Sequence, residues 1–265
     1  MTDHQSPSRD NLSREWFEDW FNHPLYLKVY HHRDNAEAEL CVETILKITG
    51  TPPDGRVLDI ACGAGRHAIA FARRGFNVTA NDLSCFLLDT AKNEAREKGL
   101  GIGFSCSDMR SINLGQRFDL IVQLFSSFGY FETDQEDRSV IRNVSGMLCP
   151  GGWYVLDLIN PVYLKWHITL CTEKTVETLS ITEERELTDR NVCKTIRIRD
   201  ENGKECSFSE SVRLFSPAEI SLLLESEGLE VGFIAGDYRG SLFDADSSPR
   251  MIIFARKTTG PANPE

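Results

Sequence analysis

The chain has 265 residues, enough to bury a full core as one domain or as one domain with an insertion. Its formal charge of −11 and the lack of any basic stripe argue against a nucleic-acid partner, because phosphate binding needs clustered Lys and Arg. No apolar run approaches the roughly 20 residues that span a bilayer, and the polar stretch Met1 to Arg9 lacks an apolar core, so neither membrane contact nor a signal peptide is expected.

Residues 1–14 read as a flexible N-terminus. Trp16, Phe17, Trp20 and Phe21 then recur with the period of an amphipathic helix, and residues 36–49 give a second helix, stopped by Gly50 and the Pro52-Pro53 pair. Val57-Leu58-Asp59-Ile60-Ala61-Cys62-Gly63-Ala64-Gly65 is an apolar run carrying one acid and ending in Gly-x-Gly; a helical pattern, Arg66 to Arg74, follows and is closed by Gly75. Asn77 to Ala80 is a second strand ending at Asn81-Asp82, with Ser84 capping the next helix and Gly99 ending it. Ile102 to Cys106 is a third strand, ending at Ser107-Asp108, and Phe118 to Leu124 is a fourth, nearly all apolar as a strand covered on both faces should be. After a helix over 134–148, Pro150-Gly151-Gly152 turns the chain into a fifth strand, Trp153 to Leu158.

Past Asn160-Pro161 the texture changes. Residues 174–214 alternate polar and apolar, as in Thr195-Ile196-Arg197-Ile198-Arg199, and Asp200-Glu201-Asn202-Gly203 supplies a hairpin turn. A capping box at Ser216-Pro217-Ala218-Glu219 restarts the α/β pattern. Strands at 229–235 and 250–256 are joined by 14 residues, too few for a crossover helix, so they form a hairpin. The expected fold is α/β: a seven-stranded, doubly wound, mostly parallel sheet with an antiparallel last strand, plus a small antiparallel β insertion. Its parts are a core over 15–160, the insertion over 161–214, a return to the core over 215–257 and a flexible tail over 258–265. The eight cysteines form no CxxC pair and have no His partner at metal spacing, so no metal is expected, and reduced, mostly buried thiols in a cytoplasmic protein are.

A buried strand that stops at a glycine turn and feeds a helix makes a cradle for a nucleotide. Gly63, Gly65 and Ala68 fit the G-x-G-x-x-G/A pattern, which NAD, FAD and S-adenosylmethionine folds share. Asp59 tips the balance: an acid there would repel a pyrophosphate, whereas a ligand carrying an ammonium and a sulfonium would welcome it, unless the acid only caps a nearby turn. Asp59, Asp82 and Asp108 end three successive strands. Neighbouring strands lie about 4.8 Å apart, so these acids are spread along a slot and do not converge on a metal. An elongated ligand with an amine, a diol and an exocyclic amine matches them, which points to S-adenosylmethionine.

These stretches, with Val78-Thr79-Ala80-Asn81-Asp82-Leu83-Ser84, Ser107-Asp108-Met109-Arg110, Phe118-Asp119-Leu120-Ile121 and Leu148-Cys149-Pro150-Gly151-Gly152, resemble the class I S-adenosylmethionine-dependent methyltransferases over residues 15–257. The resemblance implies that Asp59, Gly63, Gly65 and a backbone carbonyl near Leu124 hold the methionine end. It gives the ribose hydroxyls to Asp82, the adenine to Leu83 and Met109, and the adenine amine to Asp108. Tyr26, Tyr30 and Arg33 would cover the cofactor and hold its carboxylate, or form a surface-packed helix face. The inserted meander would roof an acceptor pocket, with Tyr130, Asp157, Asn160, Tyr238 and Arg239 as acceptor-side candidates; His67 and His167 receive no role. The activity implied is in-line methylation of a small molecule at N, O or C, leaving S-adenosylhomocysteine, by a monomer or homodimer. Aminoalkyl transfer or cyclisation with the same cofactor, a non-catalytic cofactor-binding subunit and an NAD oxidoreductase are the alternatives.

Overall fold

A computed structural model describes residues 15–31 and 35–258. Arg33 and the termini (1–14 and 259–265) lie outside the described residues.

Three helices precede the sheet: α1 (Trp16–Phe21), α2 (Leu25–Val29) and α3 (Asn35–Thr49). The core alternates β1 (Arg56–Ile60), α4 (Arg66–Ala72), β2 (Asn77–Asp82), α5 (Cys85–Glu97), β3 (Ile102–Cys106), β4 (Phe118–Gln123), α6 (Asp134–Met147) and β5 (Leu148–Ile159). Then come α7 (Pro161–His167), the meander β6 (Cys171–Val176), β7 (Leu179–Leu187), β8 (Asn191–Arg199) and β9 (Glu205–Arg213), and finally α8 (Pro217–Ser226), β10 (Leu229–Ala235) and β11 (Arg250–Lys257).

The seven core strands lie in the order β10-β11-β5-β4-β1-β2-β3, with β11 antiparallel to both neighbours, as expected. β6–β9 form a separate four-stranded antiparallel sheet. Strand order reverses between β1 and β4, and the crevice beyond the carboxyl ends of the strands there is where open α/β sheets bind ligands. The period-2 alternation sends Leu58, Ile60 and Ile121 to one apolar cluster and Val57, Leu120 and Val122 to the other, which fixes the register of the central strands. A third cluster joins the insertion to the N-terminal helices through Trp20, Val29, Ile181 and Ile196.

Three expectations need correction. Cys85 and Cys106 form a disulfide, and of the remaining cysteines only Cys41 and Cys62 are buried. Asp82 on β2 pairs in register with Cys106, so the first residue of α5 falls beside the end of β3; this proximity in space has no trace in the cysteine spacing. Second, Pro150-Gly151-Gly152 lies inside β5, with a register irregularity against β4. A Cβ at Gly152 would sit 3.0–3.2 Å from the carbonyls of Cys149, Asp119 and Phe118, so the glycine is there for close strand approach. Third, the insertion opens with a helix, α7, capped by the Asn160 side chain and started by Pro161.

Candidate functional site

A cavity of about 590 Å³ opens at the switch point, within the usual range for a small-molecule site. Its floor is the carboxyl ends of β1, β2 and β4; α1 and α2 cover it from one side, and β8 and β9 roof it with Val192, Lys194, Glu210 and Val212.

Asp59 stands at the end of β1, 1% exposed, and its Oδ2 has no hydrogen-bond partner. Burial and the neighbouring Asp82 push its carboxyl up to about 8, against the opposing pull of the Ala68 amide and the Arg66 charge. Asp82 is pushed up to about 6 by burial, although its Oδ2 accepts from Gly63 N–H at 2.7 Å and its Oδ1 from Ser84 N–H at 2.8 Å.

The two glycines of the turn do different work. Gly63 lines the cavity at φ +57°, a left-handed conformation that favours glycine, and nothing lies within 4 Å of where its Cβ would be. Gly65 (φ +82°) does not line the cavity; its Cβ would meet Ala91 Cβ at 2.8 Å, so it serves the packing of α4 on α5.

Leu83, Asp108, Met109 and Leu124 all line the cavity. Asp108 is bound by Arg110, which donates from its backbone N at 2.7 Å and from Nη2 at 2.6 Å. Arg110 also reaches Glu15 at 2.6 Å and Glu136 at 2.8 Å, so one guanidinium ties the N-terminal segment and α6 to the end of β3. The Leu124 carbonyl accepts from Ser127 Oγ at 3.0 Å.

Tyr26 and Tyr30 line the cavity, and Tyr30 donates to Glu210 while accepting from Lys194. Lys194 pairs with Glu210 at 2.6 Å, and Trp20 Nε1 donates to the same carboxylate at 2.7 Å.

Of the acceptor-side candidates only Tyr130 lines the cavity, its ring 5.1 Å from that of Trp16. Asp157, fully buried, accepts from Phe125 N–H, Tyr238 Oη and Arg250, and so braces the loop after β4 from behind. The Asn160 amide donates to the carbonyls of Ala245 and Ser248. Arg239 is exposed, in a turn organised by Asp237. These four were expected near strand ends or in the 236–249 loop and stand there, but none of them lines the cavity.

Sequence reasoning missed Arg66, Arg110, Lys194, Glu210 and Arg250. The last three meet the site through pairings across 100 residues or more, which no local pattern carries. Arg66 directly follows the glycine turn and Arg110 ends the stretch Ser107-Asp108-Met109-Arg110, and those positions were the available signal.

Residues 57–152 match the family model described as a methyltransferase domain. Over those residues the chain carries a methyltransferase domain. Among curated proteins it is 29% identical over 163 residues to a ubiquinone biosynthesis O-methyltransferase of Coxiella burnetii, spanning 58% of this chain and 66% of that protein, just under two thirds of its length. A dTDP-3-amino-3,4,6-trideoxy-α-D-glucopyranose N,N-dimethyltransferase of Streptomyces venezuelae is 26% identical over 197 residues, covering 72% of this chain and 81% of the other. An S-adenosylmethionine-dependent methyltransferase from Clostridium acetobutylicum superposes with a TM-score of 0.76 at 21% identity, over 91% of this chain and 98% of its own, a likeness of fold. The matched segment ends at residue 152, inside β5, so the roof over the cavity lies outside it.

Proposed function

We propose that the chain is an S-adenosylmethionine-dependent methyltransferase whose acceptor is a small molecule. The observation that carries the reading is the unpartnered Oδ2 of Asp59, a buried carboxylate oxygen at the wall of a cavity large enough for a nucleoside ligand. Leaving such a group unpaired is costly, and a ligand ammonium would satisfy it. Asp82, held in place by two backbone amides, would accept from the ribose hydroxyls through its remaining lone pairs. Leu83 and Met109 would sandwich the base, and Asp108 would receive its amine.

The bound cofactor supplies a methyl group activated by a sulfonium. The chain's own work is to orient and desolvate. Trp16, Phe21, Tyr26 and Tyr130 give the cavity an aromatic wall that excludes water from the reacting end. In-line transfer to a nitrogen or oxygen held there needs positioning more than a strong acid or base. The two curated relatives are named for transfer to an oxygen and to a nitrogen, and both kinds of acceptor suit this wall. We also take the enzyme to act in the cytoplasm as a monomer or homodimer without nucleic acid; the charge of −11 supports the last point. Isothermal titration with S-adenosylhomocysteine and, separately, NADH tests the reading: saturable binding of the first is expected, and its absence refutes the proposal.

A further inference from the structure

β4 runs through Leu120-Ile121-Val122 and then ends in a polar side chain, Gln123, that is fully buried and has no role in holding the cofactor directly. A buried amide is costly unless its donors and acceptor are met, and here they are. Gln123 Nε2 donates to the Ser127 carbonyl at 2.7 Å and to the Met109 sulfur at 3.2 Å, and its Oε1 accepts from Tyr154 Oη at 2.7 Å. A carbonyl only accepts, so the amide nitrogen must face Ser127, and Tyr154 must be the donor to Oε1. Burial pushes the Tyr154 phenol well above its ordinary range and so keeps that donor protonated. On β5, Tyr154 stands in register with Ile121, two residues before Gln123 and on the same face of β4.

The two groups held by the amide nitrogen line the cavity at different places. Ser127 closes the turn after β4, its Oγ donating to the Leu124 carbonyl at 3.0 Å. Met109 lies just past the end of β3, and its backbone is fixed from α6: Asn143 Nδ2 donates to the carbonyls of Met109 at 3.2 Å and of Arg110 at 2.9 Å. The side chain needs a separate hold. Methionine is unbranched, with three soft torsions, so as a wall it gives way unless its sulfur is tied. The Gln123 amide supplies that tie from the central sheet.

We propose that Gln123, aimed by Tyr154, is a positioning residue that pins the Met109 thioether, so that this side chain forms a fixed wall for the adenine of the cofactor. The proposal rests on the S-adenosylmethionine reading and deepens it. The base then meets a surface already ordered, and less side-chain freedom is lost on binding. A residue that only closed the turn over 124–127 would leave Met109 untouched, which separates the two roles.

The test combines calorimetry with S-adenosylhomocysteine and methionine methyl NMR on the wild type, Tyr154→Phe and Gln123→Leu. The chain's methionines are Met1, Met109, Met147 and Met251, and a Met109→Leu variant assigns the Met109 signal. Met147 and Met251 are buried in the same apolar cluster as Tyr154, so their methyls report any general disturbance of the core. Each variant is expected to bind about three- to tenfold more weakly, with the Met109 signal moved toward that of a freely rotating side chain and the Met147 and Met251 signals in place. A wild type that does not bind S-adenosylhomocysteine sinks the cofactor reading and this proposal with it. With the wild type binding, an unchanged affinity in either variant, an unmoved Met109 signal, or Met109, Met147 and Met251 shifting together overturns the positioning role alone. Should Gln123→Leu fail to fold, Tyr154→Phe, which keeps the ring and removes only the orienting hydroxyl, decides by the same criteria.

Discussion

Ligand binding at Asp59 should be coupled to proton release. With its carboxyl pushed up to about 8, Asp59 is mostly protonated at pH 6 in the empty protein, yet it must be ionised to hold an ammonium. The ionised fraction rises from about 0.01 at pH 6 to about 0.24 at pH 7.5, so affinity for S-adenosylhomocysteine should rise roughly 20-fold, or about 1.8 kcal/mol, over that window. The folded pKa lies above the unfolded value of 3.8, so the protonated group stabilises the empty protein at low pH, and this contribution is lost as pH rises toward 8. Stability of the empty protein should therefore fall by up to about 1.4 kcal/mol per pH unit from this group between pH 6 and 8. Titrations in phosphate and in Tris, whose ionisation enthalpies differ, count the released protons; close to one per ligand is expected at pH 6.5. Asp59→Asn should bind weakly at every pH and lose most of both slopes, keeping only the smaller part that Asp82, pushed up to about 6, contributes. An affinity that is flat from pH 6 to 7.5, or an Asp59→Asn variant that keeps the wild-type slope, refutes the assignment of the buried charge to this residue.

Two further changes separate structural from binding roles. Gly65→Ala places a Cβ 2.8 Å from Ala91 and at a φ of +82°, so we expect a loss of about 1–3 kcal/mol in denaturant melts of the unliganded protein; an unaltered midpoint would contradict the packing role. Reducing the Cys85–Cys106 disulfide, both of whose residues are exposed, frees a loop spanning 21 residues and should cost about 3 kcal/mol, read as a fall in Tm with dithiothreitol that a Cys85→Ser variant no longer shows.

The sheet and its glycine turn were legible because they are written locally. Strand burial follows from runs such as Leu120-Ile121-Val122, and Gly63 and Asp82 sit at fixed offsets from them. The acceptor side was not legible for the opposite reason. Asp157, near the end of β5, and Tyr238, in the 236–249 loop, look like site residues because they are polar, but whether such a group faces the cavity or the loop behind it depends on where Arg250 falls, 93 residues from Asp157. The disulfide escaped for the same cause: its two cysteines meet only because β2 and β3 pair in one register. In the roof, Glu210 reads as one polar residue among several in an alternating strand, and only the folded chain brings Trp20 and Tyr30 to it across 190 and 180 residues.

That roof contact also determines how the lid is held. Lys194 and Glu210 keep side-chain exposures of 15% each, enough burial that neither charge is well solvated alone. Removing one partner should leave an uncompensated charge against the apolar wall, whereas removing both should be far milder. Glu210→Gln or Lys194→Met alone is therefore expected to cost about 2–4 kcal/mol, and the double variant clearly less than the sum of the two. Glu210→Gln should further loosen the N-terminal cover, because its carboxylate also accepts from Trp20 on α1 and from Tyr30 just past α2. Hydrogen exchange at residues 16–30 reports that loosening, and should rise in Glu210→Gln while the amides of β1 and β4 keep their protection. Strict additivity in the double variant, or unchanged exchange in the N-terminal helices, would show that apolar packing alone holds the lid.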